Sequence, residues 1–324
     1  MLLISSAGRR VGTALFGSVL LISACSPVQQ NSAPPPSGST VSTAPAGNNA
    51  VPAWSGVIDP KSIPLGDGKL STAPVNGSLF SCRTKFNGGG AQVVGPWIDM
   101  EKKTWDSTAK VQVSGSNTWP QARYSEAVDG DFRVLRTNNL PTEQVTGNFP
   151  VAKDDPAYQY DRNPNSIGEK SVEIKLSLNP ASTAAGCVDQ GAIGILKNGV
   201  FLFNAVDASG RDAAAHEAQD KCDGHPEGSD SYHYHNIPSC LLAAAPLAGS
   251  TLVGFALDGY GIYIERDVNG HLPGNADLDE CHGRTSTVTW NGKEQSIYHY
   301  SATLEYPFVV GCYRGTPIPT PDAD

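Results

Sequence analysis

Between Asp220 and Cys240 the chain gathers three histidines, two tyrosines, three aspartates and two cysteines, a density of reactive groups found nowhere else in its 324 residues. Within it, Tyr232, His233, Tyr234 and His235 are consecutive. Side chains alternate faces along an extended strand, so that run puts both imidazoles on one side and both phenols on the other. Two imidazoles on one face make a nitrogen clamp for a metal ion. All seven histidines (His216, His225, His233, His235, His271, His282 and His299) follow residue 215. Histidine is both the commonest metal ligand and the commonest acid or base near neutral pH, so this concentration marks a site.

The metal reading takes His233 and His235 from the strand and His225 from the loop before it. His299, Asp223 and His282 are further candidates. Imidazole-rich sets suit copper or zinc. Calcium is an alternative at the oxygen-rich segment 267–280, although Leu272 stands where an EF-hand loop needs its glycine. The competing reading is structural: buried histidines hydrogen-bonded inside a disulfide-stapled loop. A nucleophilic enzyme has less support, because no Gly-x-Ser-x-Gly elbow occurs. Paired carboxylates from Asp220, Asp223, Asp258 and Asp279 have no spacing that singles them out.

Stepping outward, the second half of the chain carries a hidden duplication. Residues 194–203 align with 254–263 at an offset of 60, and Asp207 and Gly210 fall on Asp267 and Gly270 at that same offset. Asp220 and Cys222 fall on Asp279 and Cys281, Tyr232 to Tyr234 on Tyr298 to Tyr300, and Cys240 on Cys312. The growing offset is what loop insertions between ordered strands produce. Asn198-Gly199 and Asp258-Gly259 predict a two-residue hairpin turn in each copy. Two β-modules with pseudo-two-fold symmetry follow, over about 191–240 and 251–312, with their Tyr-His-Tyr strands facing or neighbouring each other across the site. The second copy has Arg284 where the first has His225, and Ser301 where the first has His235, so it is the weaker half.

Period-two runs predict strands at residues 93–98, 110–114, 132–135 and 171–177, and the run from Asp212 to Gln219 predicts a helix. The fold class is mainly β with a few short helices, in one disulfide-stapled domain over 54–316, followed by a tail at 317–324. Cys82, Cys187, Cys222, Cys240, Cys281 and Cys312 form an even set, read as three disulfides in an exported protein. Six cysteines allow 15 pairings. Sequence proximity favours Cys222 with Cys240 and Cys281 with Cys312, which leaves Cys82 for Cys187. A Cys₂His₂ zinc site is the alternative.

The amino terminus accounts for the export. Arg9 and Arg10 precede an apolar run from Val11 to Leu21, too short to span a bilayer, and then Ile22, Ser23, Ala24 and Cys25. That ending resembles the bacterial lipobox, which implies removal of residues 1–24 and lipidation of Cys25, palmitate included. Residues 25–53, rich in Pro, Ser and Gly, make a flexible tether. The expected location is the bacterial cell envelope, with the domain lipid-anchored to a membrane, the outer one if there are two. A formal charge of −9 argues against nucleic acid as a partner. It leaves a small-molecule or protein partner open.

Several segments together resemble the YHYH-domain proteins. They include Gly95 to Trp97, Asn139 to Pro141, Thr146 to Pro150, Asn163 to Asn165, Asp220 to Pro226, Tyr232 to His235, Leu257 to Gly259, Leu278 to Cys281, Tyr298 to Tyr300 and Pro307 to Cys312. The resemblance covers most of 54–316. It implies an exported, often lipid-anchored protein and carries no assigned reaction.

Overall fold

The computed structural model describes residues 51–321; the leader, Cys25 and most of the tether lie outside the described residues. In chain order the strands are β1 (Ile63–Pro64), β2 (Leu70–Ser71), β3 (Leu79–Phe80), β4 (Ile98–Asp99), β5 (Thr104–Trp105), β6 (Tyr124–Asp129), β7 (Phe132–Thr137), β8 (Val172–Ser177), β9 (Ala192–Leu196), β10 (Phe201–Phe203), β11 (Gly224–Pro226), β12 (Tyr232–Tyr234), β13 (Gly249–Ala256), β14 (Gly261–Arg266), β15 (Gly283–Trp290) and β16 (Lys293–Ser301). The α-helices are α1 (Ala213–His216) and α2 (Ser239–Ala244). The architecture is therefore mainly β. Among the described residues no helix is long and apolar enough to cross a membrane.

An eight-stranded sheet dominates, in the order β11-β12-β10-β9-β13-β14-β16-β15. Read from its centre outward it is a palindrome: β9 answers β13, β10 answers β14, β12 answers β16 and β11 answers β15. The register makes the relationship quantitative. Gly194 pairs with Ala256, Ile195 with Phe255 and Leu196 with Gly254, so the offset of 60 turns each pair into its mirror. Phe201 opposite Ile195 becomes Gly261 opposite Phe255, and Leu202 opposite Gly194 becomes Ile262 opposite Gly254. The outer strands obey the same rule, because β10 and β12 run parallel, as do β14 and β16. The two glycines that opened the alignment are explained at this axis. A Cβ on Gly194 would lie 2.8 Å from the Phe255 carbonyl oxygen, and one on Gly254 2.6 Å from that of Ile195.

β9 is buried along its whole length, and Ile195, Leu196, Phe201, Phe255 and Ile262 are all fully buried in one continuous core. Each such side chain contributes about 1.5–3 kcal/mol when taken out of water. The smaller sheet β6-β7-β8 packs against the hairpin loops of both modules. All three disulfides form with the pairing that proximity favours: Cys82–Cys187, Cys222–Cys240 and Cys281–Cys312.

Five sequence expectations are corrected. Residues 93–97 are not a strand: Pro96 interrupts them and Gly95 packs on the Trp97 ring, so only Ile98–Asp99 pairs. Residues 110–114 give a single bridge, Val113 to Asp220, because the Lys110 ammonium is drawn off to the Ala214 carbonyl and Gln219 Oε1. The predicted helix stops after His216, since Glu217 turns extended with ψ 143°. In both hairpins only the glycine has positive φ (Gly199 89°, Gly259 91°), and the loops carry three residues rather than two. The Tyr-His-Tyr strands also do not face each other: β12 and β16 are second and seventh in the strand order.

Candidate metal centre

β12 lies between β11 and β10. Its antiparallel register sets His225 directly opposite His233, and its parallel register sets Phe201 beside His233. Directly opposed residues of an antiparallel pair share a face, and His235 joins them two residues on. The other face is closed by phenols. The Tyr232 hydroxyl donates to Asp220 Oδ2 at 2.7 Å, Asn198 Nδ2 donates to the Tyr234 hydroxyl at 3.1 Å, and both rings are fully buried.

Three features fix the strand. Asn139, buried and with φ 57°, accepts from the Phe201 N–H and donates to the Tyr232 carbonyl, bridging β10 to β12. Asp220 accepts from the N–H groups of Gly147, Cys222 and Gly224, holding the turn into β11. Cys222–Cys240 ties that turn to α2.

The three imidazoles converge. His225, His233 and His235 are all at least 96 % buried and present ligand atoms within 4.8 Å of one another. His233 Nδ1 lies 3.1 Å from the Ser231 carbonyl oxygen and His235 Nδ1 2.5 Å from that of Asn204. A carbonyl only accepts, so both Nδ1 atoms donate, and each neutral ring keeps its lone pair on Nε2. Those two Nε2 atoms are 3.1 Å apart. Two ligands about 2.0–2.1 Å from a shared ion, at an angle of roughly 100°, have this separation. The Phe203 ring stacks on His233 at 3.9 Å and holds its plane.

A residue that sequence reasoning missed completes the arrangement. Glu217 Oε2 is buried without a hydrogen-bond partner, 3.2 Å from His235 Nε2 and 3.4 Å from His225 Nε2. The signal was the early end of α1, which sends Glu217 inward instead of along a helix face. His225 Nε2 is likewise buried and unpartnered. Burial drives the His225 and His233 pKa values well below the usual imidazole range, with charge on the neighbouring histidines adding to it. Burial also raises Glu217, against a partial offset from His235. Burial therefore disfavours a proton on His225 and His233, and the three converging imidazoles could hold a metal ion instead.

The remaining candidates lie elsewhere, which corrects the six-residue ligand set. Asp223 accepts from the Ser239 N–H at 2.7 Å, at the start of α2. His282 sits between the Val309 carbonyl and Thr303 Oγ1. In the calcium candidate segment, Asp267 Oδ1 is taken up by the N–H groups of Asn269 and His271. His299 belongs to the second module, 3.2 Å from Glu265 Oε2.

That second module is a closed copy of the first. His299 answers His233, and its Nδ1 likewise lies 3.0 Å from the carbonyl oxygen two residues before it. Arg284 pairs with His299 as His225 pairs with His233. Glu265, with no exposed surface, accepts from Ser301 Oγ and is 3.8 Å from Arg284 Nε. Burial raises its carboxyl, and His299, Arg284 and Ser301 more than reverse that, leaving it below the usual range. The Trp54 ring covers the guanidinium at 4.8 Å.

The first module stays open. A cleft of about 480 Å³ reaches the triad, lined also by Asp161, Asn163, Gln190, Phe203, Glu217 and Glu227. A model of the YHYH protein family matches residues 173–272, which take in β9 to β12 and every residue of the triad. The chain carries a YHYH domain. No curated protein and no solved structure matches it. The YHYH match ends before β15, so the part of the chain bearing Arg284 and Ser301 lies beyond it.

Proposed function

We propose that this YHYH-domain protein binds a transition metal, copper or zinc, through His225, His233 and His235. The observation that carries the reading is the convergence of three buried imidazoles, with the Nε2 atoms of His233 and His235 3.1 Å apart and both of their Nδ1 atoms taken up by carbonyls. Burying such a set uncompensated costs several kcal/mol, and a cation removes the cost. The site lies within the first module rather than between the two. Protein purified without chelators should carry about one equivalent of copper or zinc by elemental analysis. Metal-free protein that refuses both ions on dialysis would return the histidines to a structural role.

The open cleft favours a second reading, a metal-assisted hydrolase or oxidoreductase. Three protein ligands with a free position facing a cleft are the usual arrangement of catalytic zinc, whereas structural zinc has four. In both readings the protein is exported and held at the bacterial envelope by lipid on Cys25, as the lipobox-like ending supports.

A further inference from the structure

The cleft above the triad is far larger than an ion needs. At about 30 Å³ per water, its 480 Å³ holds roughly sixteen waters, within the range of small-molecule sites. Its walls are one-sided in charge. None of its lining residues is Lys or Arg, while Asp161, Asp207, Glu217 and Glu227 all contribute carboxylates. Arg211 neutralises Asp207 through Nε at 2.8 Å, leaving three. Most polar groups of the wall are engaged by the protein: Asp161 accepts from Ala218 N–H, Asn163 donates to the Pro226 carbonyl and Glu227 accepts from Ser229. Glu217 Oε2 and His225 Nε2 are the buried exceptions.

Resting on the metal reading, we infer that the cleft binds an uncharged small molecule that gives an oxygen or nitrogen donor to the metal and an O–H or N–H to Glu217. Three neutral imidazoles leave a divalent ion its full positive charge, and the carboxyl groups of Asp161, Glu217 and Glu227 stand on the wall around it. Two positive charges and three negative ones nearly cancel. An anion entering the cleft meets the carboxylates of the wall, and an organic cation reaching the open position meets the metal. Phe203 supplies an apolar strip beside the triad, of the kind that packs the carbon skeleton of such a molecule.

The test loads the full-length protein with cobalt(II), whose visible absorption reports coordination, and titrates it with neutral imidazole, azide or inorganic phosphate at pH 8. Imidazole should shift the bands saturably with cobalt retained, at an affinity at least tenfold above that of either anion. Glu227→Lys, at the rim, should raise phosphate affinity by tenfold or more while the cobalt content stays unchanged. Anion binding as tight as imidazole binding, or bands that none of the three probes moves, would overturn the inference while leaving metal binding intact. Failure of cobalt, copper and zinc alike to bind would remove the metal reading itself, and this inference with it.

Discussion

Arg284 stands opposite His299 at the register position that His225 holds opposite His233. Its guanidinium sets a positive charge 3.8 Å from Glu265 Oε2, the same oxygen that lies 3.2 Å from His299 Nε2, and the described first module has no such cation at its triad. The wild type should therefore hold one metal per chain. The double substitution Arg284→His with Ser301→His restores the imidazole pattern, with Glu265 in the place of Glu217. Elemental analysis of the purified variant should rise toward two metals per chain; a value fixed at one means that the copies differ by more than these ligands.

Replacing His233 and His235 together by Gln keeps size and hydrogen-bonding capacity but removes the metal-binding nitrogens. Metal content should fall at least tenfold, while circular dichroism and all three disulfides persist, because the phenol face and the Asn139 bridge are untouched. His299→Gln should leave metal content unchanged, since that ring lies in the other module beside Glu265. A variant of the first pair that unfolds while retaining metal contradicts the site.

His282 supplies a pH signature. Burial pushes its pKa down to about 4, while an unfolded histidine titrates near 6.5. Between those values the unfolded chain takes up a proton that the native state refuses. The contribution is thus complete above pH 6.5 and is lost as pH falls toward 4, to the extent of about 3 kcal/mol. Asp212 and Asp220, pushed up to about 6 by burial, act in the opposite sense from about pH 4 to 6, so the effect is read as a difference. In urea unfolding, wild type should lose most of that 3 kcal/mol relative to His282→Gln between pH 7 and 4.5. Parallel losses in the two proteins would rule out a neutral, buried His282.

Cys25 decides the anchor. Single acyl chains hold proteins at membranes only marginally, and stable attachment takes more than one. Cys25→Ser should move the protein from the detergent phase to the aqueous phase, or leave it as an uncut precursor. Partition identical to wild type would dismiss lipidation at this residue.

Much of the fold was legible because duplication repeats its own signals. Two glycines, two Asp-x-Cys turns and two Tyr-His-Tyr strands recur in order, and the palindromic sheet follows from them. The face of His233 and His235 was readable from period two alone, and the third imidazole from its place in the same dense run. Glu217 was not legible, because its role depends on where a four-residue helix ends, and alanines permit a longer one. The separation of His299 from the triad was hidden too: symmetry gives the two strands equal environments without saying that four other strands lie between them.

The pairing of β9 with β13 has a consequence for solubility. Taken alone, either module would present the unpaired backbone of an apolar central strand, Ala192–Leu196 in the first, as an edge open to any other chain. Such edges nucleate aggregation. The second module can lack the full imidazole set without being dispensable, since its β13 covers the strand edge that the triad-bearing half would otherwise leave open to aggregation.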